Sequence, residues 1–154
     1  MDNLKPMRTP VPEYLQQVMD ECVDNERGAV ADYIPQLAEA DPERFGMAIT
    51  MTDGETYELG DAAPFTIQSI SKPFVYALAL SDLGLDTVMR RVGVDPSGDP
   101  FHEISLEAGG RPRNPMINIG ALVTHALVGG EELSTTERFE RVKAGLERFA
   151  GRAL

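Results

Sequence analysis

Residues 68–84 read Gln68-Ser69-Ile70-Ser71-Lys72-Pro73-Phe74-Val75-Tyr76-Ala77-Leu78-Ala79-Leu80-Ser81-Asp82-Leu83-Gly84. From Phe74 to Leu80 every residue is apolar or aromatic. That pattern belongs to a helix buried on all sides, not to one with a wet face. Pro73 falls in the first turn, where its missing N–H would have no intrahelical partner. Gly84 is placed to end the helix. Ahead of the run stands Ser69-Ile70-Ser71-Lys72, a Ser-x-x-Lys pattern. Three residues apart on a helix, the two side chains share a face with Cβ atoms roughly 5–6 Å apart. A serine hydroxyl must lose its proton to attack a carbonyl. A lysine withdrawn from water can take that proton. The N–H groups of a helix N-terminus stabilise negative charge on the oxygen. Serine and lysine are common residues, so the pattern alone also describes a helix cap followed by a solvent-facing lysine.

Working outward, Phe45 to Met51 reads as a strand, Asp53-Gly54 as a hairpin turn, and Glu55 to Leu59 as the return strand. No third strand of equal quality follows, although a lone hairpin is marginal in water. Upstream, residues 1–11 carry no periodic pattern and read as a loose arm. Tyr14, Leu15, Val18, Met19 and Cys22 follow at helical spacing, with Pro12 in the first turn. A second helical stretch is expected over Ala29 to Ala40, starting or kinking at Pro35. Downstream, helices are expected over Leu85 to Val92 and Asn118 to Val128. Ser134-Thr135-Thr136-Glu137 predicts a capping box before a last helix that stops at Gly151. Residues 96–100 and 109–112 read as loops.

Composition narrows the functions available. The chain has 154 residues, 14 basic and 25 acidic, for a net charge of −11. Such acidity argues against generic binding to nucleic acid or an anionic membrane surface, both of which need basic patches. With 42% hydrophobic and 25% charged residues, wholesale disorder is not expected. A single cysteine, Cys22, excludes a disulfide-stapled scaffold and reads as an inert thiol. His102 and His125 have no metal-like spacing with each other or with Cys22, so no metal site is expected, and each reads as a packing or surface residue. Asn114 and Asn118 bracket Pro115-Met116-Ile117 and suit turn or helix capping. There is no run of ~18 apolar residues and no apolar signal-peptide core, so the expected compartment is the cytoplasm.

Several blocks in order change this reading. Val30-Ala31-Asp32-Tyr33-Ile34-Pro35-Gln36-Leu37 is followed by Phe45-Gly46, Asp53-Gly54, Gln68-Ser69-Ile70-Ser71-Lys72-Pro73, Gly93-Val94-Asp95-Pro96-Ser97-Gly98 and Arg113-Asn114-Pro115-Met116-Ile117-Asn118. Together they resemble the N-terminal half of the serine-dependent glutaminases, from about residue 25 to the end. That family is similar in fold to the serine β-lactamases and penicillin-binding proteins. The resemblance implies an α/β (α+β) fold present in part, with an N-terminal arm and helix over 1–24 and the truncated family domain over 25–154. The N-terminal helix and hairpin would belong to its sheet domain, residues from about 66 to its helical domain, and the site to the cleft between them. It implies Ser69 as nucleophile and Lys72 as its base, with Tyr33, Gln68 and Asn118 contacting the substrate, L-glutamine. The implied reaction yields glutamate and ammonia through an acyl-enzyme, with no cofactor, in a homo-oligomer. The family's chains are substantially longer, and their remaining pocket residues would lie after this span. Ile119 departs from the small residue usual at that position.

A non-catalytic fragment or docking module is the alternative of a different class. Another Ser-x-x-Lys hydrolase, acting on β-lactams or cell-wall peptides, is a third. An in-frame continuation of the coding sequence after Leu154 favours the enzyme, and a stop codon there favours the docking module. If the hairpin at 45–59 has no further strand beside it, the isolated chain is expected to self-associate through the open edge. A monomer by light scattering that unfolds cooperatively would contradict this.

Overall fold

The computed structural model describes residues 10–25 and 27–154, in two units, one ending at Phe65 and one beginning at Thr66. Most of the expected arm, residues 1–9, lies outside the described residues.

In the first unit, helix α1 spans Val11–Cys22 with proline in its first turn and Leu15 buried. The helix expected over 29–40 shrinks to a single turn, α2 (Pro35–Ala38). The cause is Pro35 itself, whose ring disfavours the helical region for the residue before it. Ile34 is accordingly extended, at φ −120° and ψ 116°. Strands β1 (Gly46–Thr50) and β2 (Thr56–Gly60) pair antiparallel, with Gly46 opposite Gly60 and Thr50 opposite Thr56. The turn between them is local chemistry. Asp53 Oδ1 accepts the Glu55 N–H at 3.0 Å, and Gly54 adopts φ +91°, which a side chain would disfavour. Among the described residues the sheet has these two strands, and a single bridge pairs Leu106 with Pro112.

The second unit is helical: α3 (Ser71–Leu83), α4 (Leu85–Arg91), α5 (Asn118–Leu127) and α6 (Thr135–Ala150). A 3-10 turn at Gln68–Ile70 leads into α3. Helix α3 is central and packs against α4, α5 and α6, but it is not buried on all sides as expected: Phe74, Tyr76, Ala77 and Leu80 are half-buried. Val75, Leu78 and Ala79 of α3 meet Val88, Val92, Leu127, Val128 and Val142 in one core. Gly145 admits the close approach of α6, because a Cβ there would strike the side chain of Leu78. Asp82 Oδ1 pairs with Arg141 at 2.5 Å, and its Oδ2 accepts the Gly129 N–H at 2.9 Å. One carboxylate thus ties α3 to α6 and to the loop after α5.

The capping box at α6 forms as expected. The Glu137 N–H donates to Ser134 Oγ at 3.3 Å, and the Ser134 N–H donates to Glu137 Oε2 at 2.9 Å. The Ser134 hydroxyl donates to the same carboxylate at 2.6 Å. These bonds, the hydroxyl's foremost, hold the Glu137 carboxyl below its ordinary value. Gly151 closes the helix at φ +65°. Unforeseen is Gln68, which takes φ +43° with no glycine to ease it; such a residue costs ~1–2 kcal/mol relative to its right-handed form.

Ser134→Ala is expected to destabilise the second unit by ~1 kcal/mol in urea denaturation. Because folding lowers the Glu137 pKa, its contribution is full above the ordinary glutamate value and lost as pH falls through the folded one. Glu137→Gln should therefore lose less stability than the native chain on acidification, and parallel melting temperatures would contradict this. Gln68→Gly should be neutral within ~1 kcal/mol, since relief of strain and added chain entropy offset each other. Gln68→Val should cost more than ~1 kcal/mol, and equal melting points for the two variants would contradict the assignment.

Candidate active site

A cleft of about 510 Å³ opens in the second unit where α3 and α5 begin. Its polar end carries Gln68, Ser69, Ser71, Lys72 and Asn118, and its apolar wall carries Val75, Ala121 and Leu122. Leu122 is 68% exposed. His125 lies on the same wall.

Ser69 stands on the 3-10 turn, two residues before α3, and not within the α-helix as the spacing had implied. Lys72 lies in the first turn of α3, and the two residues line the same cleft. The turn is held by Ile70 N–H on Ile67 O at 3.0 Å and by the Ser71 hydroxyl on Gln68 O at 2.7 Å. The strained Gln68 immediately precedes Ser69 and sets how the turn presents it. Residues in unfavourable backbone regions concentrate at functional sites.

Lys72 is half-buried, and its Nζ donates to two acceptors across the cleft. One is the Met116 carbonyl at 2.8 Å and the other Asn118 Oδ1 at 2.7 Å. Asn118 Nδ2 donates in turn to Phe101 O at 3.1 Å. These partners leave one orientation for the Asn118 amide, since a lysine only donates and a backbone carbonyl only accepts. The solvent-facing alternative for Lys72 is therefore set aside: its amine is held by the segment that opens α5.

Of the expected site residues, the structure brings Gln68, Ser69, Lys72 and Asn118 together. Tyr33 belongs to the first unit, in the turn before α2, and is 76% exposed. Ile119 does not line the cleft. His125, read as packing or surface, is exposed and lines it. The signal was available: Asn118, Ala121, Leu122 and His125 fall at i, i+3, i+4 and i+7, one face of α5. His102 and Phe101 meet edge to face in a surface loop, with ring centroids 5.4 Å apart. Cys22 is exposed at the end of α1.

A second cleft of about 300 Å³ runs along the hairpin in the first unit. Its carboxylates are Glu58 and Asp61, and Asp61 is committed to the Phe45 N–H at 3.0 Å. No nucleophile and base meet there. Among the described residues no group of three or more His, Cys, Asp or Glu is placed to hold a metal. Among them, too, no helix is long and apolar enough to cross a membrane.

The chain is 44% identical over 146 residues to a glutaminase of Corynebacterium glutamicum, covering 94% of this chain and 35% of that protein. It is 47% identical over 148 residues to glutaminase 1 of Bradyrhizobium diazoefficiens, covering 96% of this chain and 24% of that one. The chain thus spans well under half the length of these relatives. Among solved structures, Mglu in its native form superposes with a TM-score of 0.86 at 50% identity, over 96% of this chain and 36% of Mglu. Mglu has also been solved in a tris and glutamate form. These neighbours agree with a β-lactamase-like α/β fold present in part. The glutaminase family model matches residues 28–154, and the chain belongs to the glutaminase family.

Proposed function

We propose that the cleft at the start of α3 and α5 is the nucleophile-and-base portion of a site that hydrolyses the side-chain amide of L-glutamine. The observation that carries this reading is the lysine amine, held by Met116 O and Asn118 Oδ1 in the cleft that Ser69 lines. A neutral amine has two N–H bonds and one lone pair. The two acceptors take the N–H bonds, and the lone pair remains to receive a proton.

In this mechanism Ser69 Oγ attacks the amide carbon as its proton passes to Lys72 Nζ. The negative charge gathers on the former carbonyl oxygen, where backbone N–H groups stabilise it, that of Ser69 among them. Lys72 returns the proton to the amide nitrogen, the C–N bond breaks, and ammonia leaves. A water molecule then gives a proton to Lys72 and attacks the ester. The C–Oγ bond breaks, Ser69 regains its proton from Lys72, and glutamate is released. No other redox or group-transfer partner is required.

Asn118 spends one amide hydrogen on Phe101 O and one lone pair on Lys72. One of each remains for the substrate. Gln68 and Tyr33 complete the proposed substrate contacts. That Mglu is known in a glutamate form supports an amino-acid product in this family. We place residues 1–24 as arm and helix before a family domain over 25–154, in a cytoplasmic homo-oligomer whose remaining pocket groups come from the length of the relatives that this chain does not span. A docking role is the second reading, favoured by a sheet that has two strands among the described residues.

Ammonia release from L-glutamine, measured in a full-length form, tests the proposal. Ser69→Ala should lower turnover by on the order of 10⁴ or more while far-UV dichroism is unchanged. Undiminished turnover in that variant would remove Ser69 as nucleophile. No turnover even in a form extended to the length of the relatives would favour the docking role.

A further inference from the structure

The turn that opens α5 contains a side chain that the mechanism above does not use. Asn114 is half-buried, and its amide makes three hydrogen bonds to backbone. Oδ1 accepts the N–H of Met116 at 3.0 Å and that of Ile117 at 3.1 Å. Nδ2 donates to Asp95 O at 2.8 Å. Asp95 is itself anchored to the same segment, since its N–H donates to Arg113 O at 2.9 Å. The buried Pro115 fixes one backbone angle of the turn. Gly120 presses on it from the other side: a Cβ there would collide with the carbonyl oxygen of Asn114.

The product of this clamp is the placement of one peptide. The Met116–Ile117 peptide gives its N–H, that of Ile117, to Asn114 and its carbonyl to Lys72 Nζ. Two residues on, Asn118 supplies the other acceptor for that amine. Both groups that hold Lys72 therefore come from the segment that the Asn114 side chain folds back on itself.

We propose that Asn114 is a positioning residue for Lys72, fixing through the Met116–Ile117 peptide the place of the lysine amine in the cleft. It touches no reacting atom. The catalytic meaning of this role rests on the reading of Lys72 as base, but its first test does not.

The chain has three lysines, Lys5, Lys72 and Lys143, so lysine labelled with ¹³C at Cε gives three signals, assigned by Lys72→Arg. The Lys72 signal should stand apart from the other two in the native chain. In Asn114→Ala it should move to the position of an exposed lysine, and the Met116 and Ile117 amides should exchange with solvent on the order of tenfold faster. Asn114→Asp keeps the acceptor oxygen but loses the Nδ2 donor to Asp95 O, so the Lys72 signal and the amide protection should lie between those of the native chain and the alanine variant. If Asn114→Ala does not fold, Asn114→Ser is read by the same signals, with movement in the same direction.

An unmoved Lys72 signal in a folded Asn114→Ala or Asn114→Ser variant overturns the proposal, even if the two amides loosen. So does an Asn114→Asp variant that behaves as the alanine does. Where ammonia release is measurable, Asn114→Ala should lower kcat at least tenfold with KM within about twofold. A moved Lys72 signal in a full-length form that never turns over glutamine would uphold the positioning role and refute the glutaminase reading.

Discussion

Two hydrogen bonds from the Lys72 amine join the start of α3 to the start of α5. Ordering a lysine side chain costs up to ~2 kcal/mol of rotamer entropy. A hydrogen bond contributes ~0.5–1.5 kcal/mol net. One such bond falls short of that cost, whereas two together offset it. The site thus depends on having both acceptors, a carbonyl and an amide oxygen, in one short turn. The same contact gathers Ser69, Lys72 and Asn118 around a single cleft.

The packing beneath makes that placement stiff. The core built on Val75, Leu78 and Ala79 fixes α3 among its neighbours. Asp82 is shared between Arg141 and the Gly129 N–H and ties α3 to two further segments. Close approach is achieved with glycine, at Gly145 against Leu78 and at Gly120 against the carbonyl of Asn114. Among the described residues the one non-glycine with a positive φ is Gln68, which precedes Ser69. Rigid elements with one strained position beside the reactive group are a common arrangement for a preorganised site.

What could be read from sequence follows the range of the interactions involved. Asp53-Gly54 and the Ser134–Glu137 box act over two or three residues, and each feature formed where it was expected. The all-round apolarity of 74–80 likewise announced a central helix. Pro35 cut short the helix expected from Ala29 because its effect on Ile34 outweighed the surrounding propensity. The partners of Lys72 lie 44 and 46 residues away, beyond any periodic pattern. The family blocks brought Ser69, Lys72 and Asn118 onto one page; the hydrogen bonds show how two of them are joined. His125 is legible only through its i+7 spacing from Asn118 on one face of α5. The positive φ of Gln68 had no sequence signal, because glutamine is not a residue chosen for that region.

The most direct test of the account is to find where a glutamine-shaped electrophile attaches. A glutamine analogue with a diazoketone in place of the side-chain amide would be incubated with the chain, and the modified residue mapped by peptide mass spectrometry. The account predicts one adduct, on Ser69, formed far more slowly in Lys72→Ala. An adduct on Cys22 or spread over several residues, or an equal rate in Lys72→Ala, would contradict it.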